Sequence, residues 1–147
     1  MSFQFSLQKI LEIREDDKIK AEKEFTQATK QFEDVATKLF EQLKKKEQYE
    51  NEYYKRIETG IHIFEIQHSH TLLNQMQLQI DRQQNFTQKA RDNMNRKQEV
   101  LVVKSIEQKK YEKMKQIKRE KYIEETKHQE NLLMDEISVQ QFMRKLN

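Results

Sequence analysis

The chain has no proline and one glycine, Gly60, in 147 residues. Proline breaks helices and glycine weakens them, so a sequence that almost lacks both can stay helical nearly from end to end. The remaining residues agree. Lys, Glu, Gln, Leu, Met and Ala dominate, and all are good helix formers. Charged residues make up 36% and hydrophobic ones 35%, and the mean hydropathy is -1.11. A compact globule of this length buries roughly 70% of its unfolded surface, and too few apolar residues are present to line such an interior. Disorder is disfavoured, because disordered chains are rich in proline and glycine and because eight Phe and five Tyr need somewhere to pack. An all-α object with a thin core is expected.

Seven-residue spacing specifies that core. One row reads Leu11, Lys18, Phe25, Phe32, Leu39, Lys46, Tyr53. The row three residues later reads Arg14, Ala21, Ala28, Val35, Gln42, Tyr49. Together they form an a/d seam, a stripe that requires a partner helix. Beyond Leu39 the apolar stripe is expected to drift, towards Leu43 and Ile57. Ser6 is expected to cap the helix start, with Phe5 and Ile10 at the spacing of a hydrophobic staple. Gly60 is expected to end the helix in a left-handed cap. The stretch from Ile61 to His70 is β-branched and rich in histidine, and it reads as the turn, with room for one short helical piece. Ser69 or Thr71 would cap the return helix, whose seam reads Leu73, Met76, Ile80, Thr87, Ala90, Met94 and Leu101. After the run Val100–Val103 the register is expected to shift, through Ile106, Tyr111, Met114 and Ile117.

The expected architecture is a long two-helix antiparallel coiled-coil hairpin with unequal arms, forming a single domain over residues 1–147. Helix one covers about 6–58, the turn about 59–71 and helix two about 72–144. At 1.5 Å per residue the arms would be about 80 and 110 Å long. The second arm must then overshoot the first, leaving the cluster Leu132, Leu133, Ile137, Val139, Phe142 and Leu146 short of partners. Such a surface either docks a partner, closes the hairpin or drives homodimerisation.

Several function classes are disfavoured. One glycine cannot build a phosphate-binding loop, there is no cysteine, and a helix pair has no deep cleft. No catalytic residues, no cofactor and no metal are therefore expected. His62, His68 and His70 lie near Glu65, but one helix would not aim all three at one ion, so solvated histidines are expected. The longest apolar run, Val100–Val103, is far short of the ~20 residues that span a bilayer. No secretory signal is visible. A cytoplasmic protein without direct membrane insertion is expected. The stretch Lys109, Lys110, Lys113, Lys115, Lys118, Arg119 and Lys121 is basic, but Glu107, Glu112 and Glu120 dilute it, and the net charge is only +3. A solvated coiled-coil surface is favoured over a nucleic-acid site. A nucleic-acid binder and a generic tether or scaffold remain the alternatives.

A family resemblance sharpens this reading. The opening Phe3-x-Phe5-x-Leu7-x-x-Ile10-Leu11-x-Ile13-Arg14 resembles the start of the flagellar export protein FliJ family. So do Tyr49-Glu50-Asn51-Glu52-Tyr53 before the turn, and Met134-Asp135-Glu136-Ile137 followed by Met143-Arg144. The likeness covers nearly the whole chain. It implies a cytoplasmic component of the bacterial type III export apparatus, peripheral to the inner face of the cell membrane. The implied fold is similar to the rotor stalk of rotary ATP synthases. The implied partners are the hexameric export ATPase, whose assembly and activity the protein would promote, the cytoplasmic domain of a membrane export gate protein, and export chaperones. On this reading the open end, carrying Phe5, Leu7, Leu11, Arg14, Asp135, Glu136 and Phe142, enters the ATPase ring. The start of the return helix, with Leu72, Met76, Gln79 and Gln83 on one face, faces the gate. Gln79 and Gln83 depart from the apolar side chains that the family tends to place there.

Overall fold

The computed structural model describes residues 2–146. Two helices account for nearly all of them: α1, Gln8–Thr59, and α2, Ile63–Leu146. They contain 52 and 84 residues, and no strand occurs among the described residues. The fold is an all-α, two-helix antiparallel coiled-coil hairpin with unequal arms.

The chain reverses over three residues. The Gly60 amide donates to the Ile57 carbonyl at 3.2 Å, and Gly60 has φ of 93°. This is left-handed backbone, which a residue with a Cβ adopts only at a cost. The α2 helix then starts at once, because the His62 carbonyl accepts from the Glu65 and Ile66 amides at 3.0 and 3.2 Å. The expected turn over 59–71 is therefore too long. From Ile63 onward that stretch belongs to α2. Packing outweighs the weak helix propensity of this stretch. Ser69 is buried and accepts a hydrogen bond from the Tyr49 hydroxyl at 3.0 Å, so it serves the interior and not a cap. Thr71 bonds back to the Gln67 carbonyl at 3.1 Å. At the other end Leu7, rather than Ser6, supplies the first helical carbonyl, to the Leu11 amide at 3.0 Å.

The contacts divide the chain into two compact units. One joins the N-terminal segment through Ile19 to α2 from Val103 onward, and the other runs from Lys20 to Val102.

In the Lys20–Val102 unit, Ala21, Ala28 and Ile80 form the tightest core. Polar side chains complete the seam. Gln83 Nε2 donates to the Val35 carbonyl at 3.0 Å, and Thr87 Oγ1 donates to the Gln83 carbonyl at 2.7 Å. Lys46 Nζ donates to Gln77 Oε1. The Arg91 guanidinium lies 5.4 Å from the centre of the Phe32 ring, within cation–π range. Lys97 and Glu24 approach to 3.5 Å. As residue numbers rise along α1 they fall along α2, as antiparallel pairing requires.

In the other unit Phe5 and Leu11 are buried, and the Phe3 and Tyr122 rings lie 5.6 Å apart. Lys18 Nζ donates to Gln108 Oε1 at 3.5 Å, and Gln108 in turn donates to Glu112. Arg14 Nε lies 3.9 Å from Glu107 Oε2. Past Tyr122 every described residue of α2 except Thr126 is exposed.

Both predicted rows of α1 face inward, since none of their residues is exposed. The expected drift does not occur. Leu43 and Ile57 are exposed, whereas polar Gln42 and Lys46 keep the seam positions. The expected shift on α2 fails in the same way. From Ser69 the inward positions advance by alternating steps of four and three residues through Ile80, Gln83, Thr87 and Leu101 to Gln108 and Tyr111, while Ile106 and Ile117 point outward. Two mutually packed helices hold one register. Lys46 is tolerated in it because Gln77 accepts its hydrogen bond, whereas Gln42 keeps its position although its buried Oε1 has no hydrogen-bond partner.

Candidate functional site

Two surfaces follow from this geometry, one in each unit. In the Lys20–Val102 unit, Leu72 and Met76 are half-buried beside α1. With Gln42, Lys45, Gln75 and Gln79 they line an open groove. The spacing 72, 76, 79 keeps these three side chains on one helical face. Gln79 is exposed. Gln83 belongs elsewhere. It is 5% exposed and its amide is committed to the Val35 carbonyl, so it holds the helix pair together and offers nothing to a partner. The groove combines two apolar contacts with amides and the Lys45 ammonium, a composition suited to a protein surface and not to a small molecule.

The residues expected at the open end separate into two groups. Phe5 and Leu11 are core, Leu11 being 2% exposed. Leu7 and Arg14 are half-buried. Arg14 holds Asp17 at 3.4 Å and lies near Glu107. The apolar start of the chain therefore packs onto α2. Phe3, Gln4, Phe5 and Gln8 form an open groove there with Lys115. In contrast, Asp135, Glu136 and Phe142 are exposed, Phe142 at 62%. Around them Leu132, Leu133, Met134, Val139, Met143 and Leu146 are exposed as well.

Sequence reasoning did not place Ser69, Gln83 or Gln108 in the seam, where all three are buried. A signal existed: counting three and four from Ile80 in either direction lands on each of them. Residue type hid them, because a search for apolar stripes passes over glutamine and serine.

Of the basic stretch, Lys109, Lys110, Lys113, Lys118, Arg119 and Lys121 are exposed and Lys115 is half-buried. Among the described residues no group of three or more His, Cys, Asp or Glu side chains could hold a metal ion. Among the described residues no helix is long and apolar enough to cross a membrane.

These features define a class: a coiled-coil hairpin whose exposed apolar side chains gather on open surfaces and at the end of the longer helix. The same fold is found in CT670 of Chlamydia trachomatis, whose structure is described as that of a YscO homologue. It superposes with a TM-score of 0.62 at 19% identity, covering 99% of this chain and 97% of that one. The profile of the flagellar FliJ protein family matches residues 3–147. The flagellar FliJ protein of Bacillus subtilis (strain 168) is 37% identical over 143 residues, which is 97% of this chain and 97% of that protein. The chain belongs to the flagellar FliJ family, and with it to the components of flagellar protein export.

Proposed function

We propose that this chain is a stalk-like coiled coil that binds the hexameric export ATPase, promotes its assembly and activity, and links it to the membrane export gate from the cytoplasmic side. It acts without chemistry of its own, by contacting each machine through a different surface. Export chaperones are further partners on this reading.

The observation that supports it best is the end of α2. Past Tyr122 the helix has no partner from α1, yet its last turns are rich in exposed apolar side chains. Unpartnered apolar faces of this kind mark interaction sites. Asp135, Glu136 and Phe142 are the proposed ATPase contacts. Phe5, Leu11 and Arg14 act behind them by packing the N-terminal segment onto α2, and Leu7 lies at the margin. For the gate, the proposed contacts are Leu72, Met76 and Gln79, with Gln42 and Lys45 across the groove.

The test uses the full chain with its cognate ATPase. Added chain is expected to raise ATPase oligomerisation and turnover. Deleting residues 132–146 is expected to abolish both effects while circular dichroism shows the remaining helix intact. Failure of the full chain both to capture the ATPase and to stimulate it would refute the proposal. For the gate, Met76→Glu is expected to abolish binding of the gate's cytoplasmic domain and to leave ATPase stimulation unchanged. Unimpaired gate binding by that variant would remove the groove from the account.

A further inference from the structure

Two outward stripes, one in each unit, carry matching patterns. On α1 the row Phe40, Leu43, Glu47, Glu50, Tyr54, Ile57 advances in alternating steps of three and four residues, so it forms one face. Its four apolar members are all exposed, Phe40 at 65%. They lie in two pairs, separated by two carboxylates. The row contains no cation. Glu47 is exposed, and Glu50 is half-buried with Lys46 3.5 Å away. On α2 the row Val103, Ile106, Lys110, Lys113, Ile117 has the same spacing. Its apolar members are exposed too, Ile106 at 62%, and both lysines are exposed. Here the apolar residues bracket two ammonium groups and no carboxylate. Neither row belongs to the seam that joins α1 to α2.

We propose that two copies of this chain associate side by side, the Phe40–Ile57 stripe of one copy seated on the Val103–Ile117 stripe of the other. The charges and the spacing argue for a second copy over other occupants. Glu47 and Glu50 meet Lys110 and Lys113 whichever way the two helices run, because the charged pair sits at the same steps in both rows. In the antiparallel arrangement Leu43 meets Ile117, Tyr54 meets Ile106 and Ile57 meets Val103. In the parallel arrangement Phe40 meets Val103, Leu43 meets Ile106 and Tyr54 meets Ile117. Either arrangement covers three apolar pairs and neutralises four charges. Complementary potentials of this kind set register and partner choice, and like charges disfavour the wrong pairing. The contact is narrow, in the range of weak, reversible interfaces. It is therefore populated at high local concentration and weakened by salt. The association is separate from the proposed contacts with the ATPase and the gate, which use other residues.

Sedimentation velocity of the full chain, across a wide concentration range and at low and high salt, tests this. The expected result is a weight-average sedimentation coefficient that rises with concentration and rises less in high salt. The charge-swapped variants Glu47→Lys/Glu50→Lys and Lys110→Glu/Lys113→Glu are each expected to weaken self-association by about tenfold, since two attractive contacts become repulsive. The chain carrying all four substitutions is expected to regain affinity to within about threefold of the original, because the pairing is restored with the signs exchanged. All four replacements are between good helix formers, and circular dichroism checks that helix content is kept. A sedimentation coefficient independent of concentration would overturn the proposal. So would self-association that neither swap alters, or a quadruple variant no better than the two doubles.

Discussion

The sharpest test of the seam compares two isoleucines of α2. Ile80 is 1% exposed and is the largest fully buried side chain among the described residues. Ile106 is 62% exposed. Ile80→Ala removes three carbons from the interior, and at ~0.8 kcal/mol for each buried methylene the transfer loss is about 2.4 kcal/mol. A seam between two helices is bordered by mobile side chains that can close over the gap, so the added cavity term is small. Alanine returns about 0.4 kcal/mol through its higher helix propensity. The net expected loss is about 2 kcal/mol, a factor of about 30 in the ratio of folded to unfolded chain. Ile106→Ala loses little burial and gains the same propensity, so its expected change lies between zero and about 0.4 kcal/mol of stabilisation. Urea titrations followed by circular dichroism would measure both. If Ile106→Ala cost as much as Ile80→Ala, the α2 seam would have shifted after Val103, and the continuous register described above would be refuted.

Other substitutions probe other parts of the account. Gln83→Ala removes a buried hydrogen bond to the Val35 carbonyl and is expected to cost about 1–2 kcal/mol by the same titration, whereas Gln83→Leu is expected to be nearly neutral because it keeps the volume. Gly60→Ala is expected to cost about 1 kcal/mol in thermal unfolding. The φ of 93° alone carries this cost, since an added Cβ would meet nothing within 4 Å. The Glu24–Lys97 pair, 3.5 Å apart and more than a third exposed, is expected to change stability by no more than about 0.5 kcal/mol when Lys97 is replaced by Gln. A larger effect in a double-mutant cycle would show that this flank is better ordered than its exposure indicates.

Much of the helix pair can be read in the residues themselves. The heptad rows of α1 locate its inner face from Leu11 to Tyr53, and Gly60 locates the reversal. What cannot be read is where apolarity and packing part company. Leu43, Ile57, Ile106 and Ile117 are apolar but point outward, because the partner helix fixes the register and does not follow the local stripe. Lys18 and Lys46 are charged but sit in the seam, because Gln108 and Gln77 accept their hydrogen bonds. The stretch from Ile63 to Thr71 resembles a loop by composition, yet Ser69 and Tyr49 complete each other across the pair. Of the surfaces, the overshooting end of α2 could be inferred from the difference in arm length alone. The division of labour at the open end could not. Phe5 and Phe142 are the same residue type near opposite termini, and only packing separates the one that is buried from the one that is exposed.

The most direct measurement is a distance between the two helices in solution. The chain has no cysteine, so Glu24→Cys/Lys97→Cys and Lys46→Cys/Gln77→Cys can each carry two spin labels without further changes. Pulsed electron resonance on each doubly labelled chain, diluted with unlabelled chain, is expected to give one short, narrow distance distribution, consistent with helix axes about 8–10 Å apart. Long or broad distributions at both pairs would contradict antiparallel pairing in a fixed register within the Lys20–Val102 unit, and with it the placement of the groove around Leu72 and Met76.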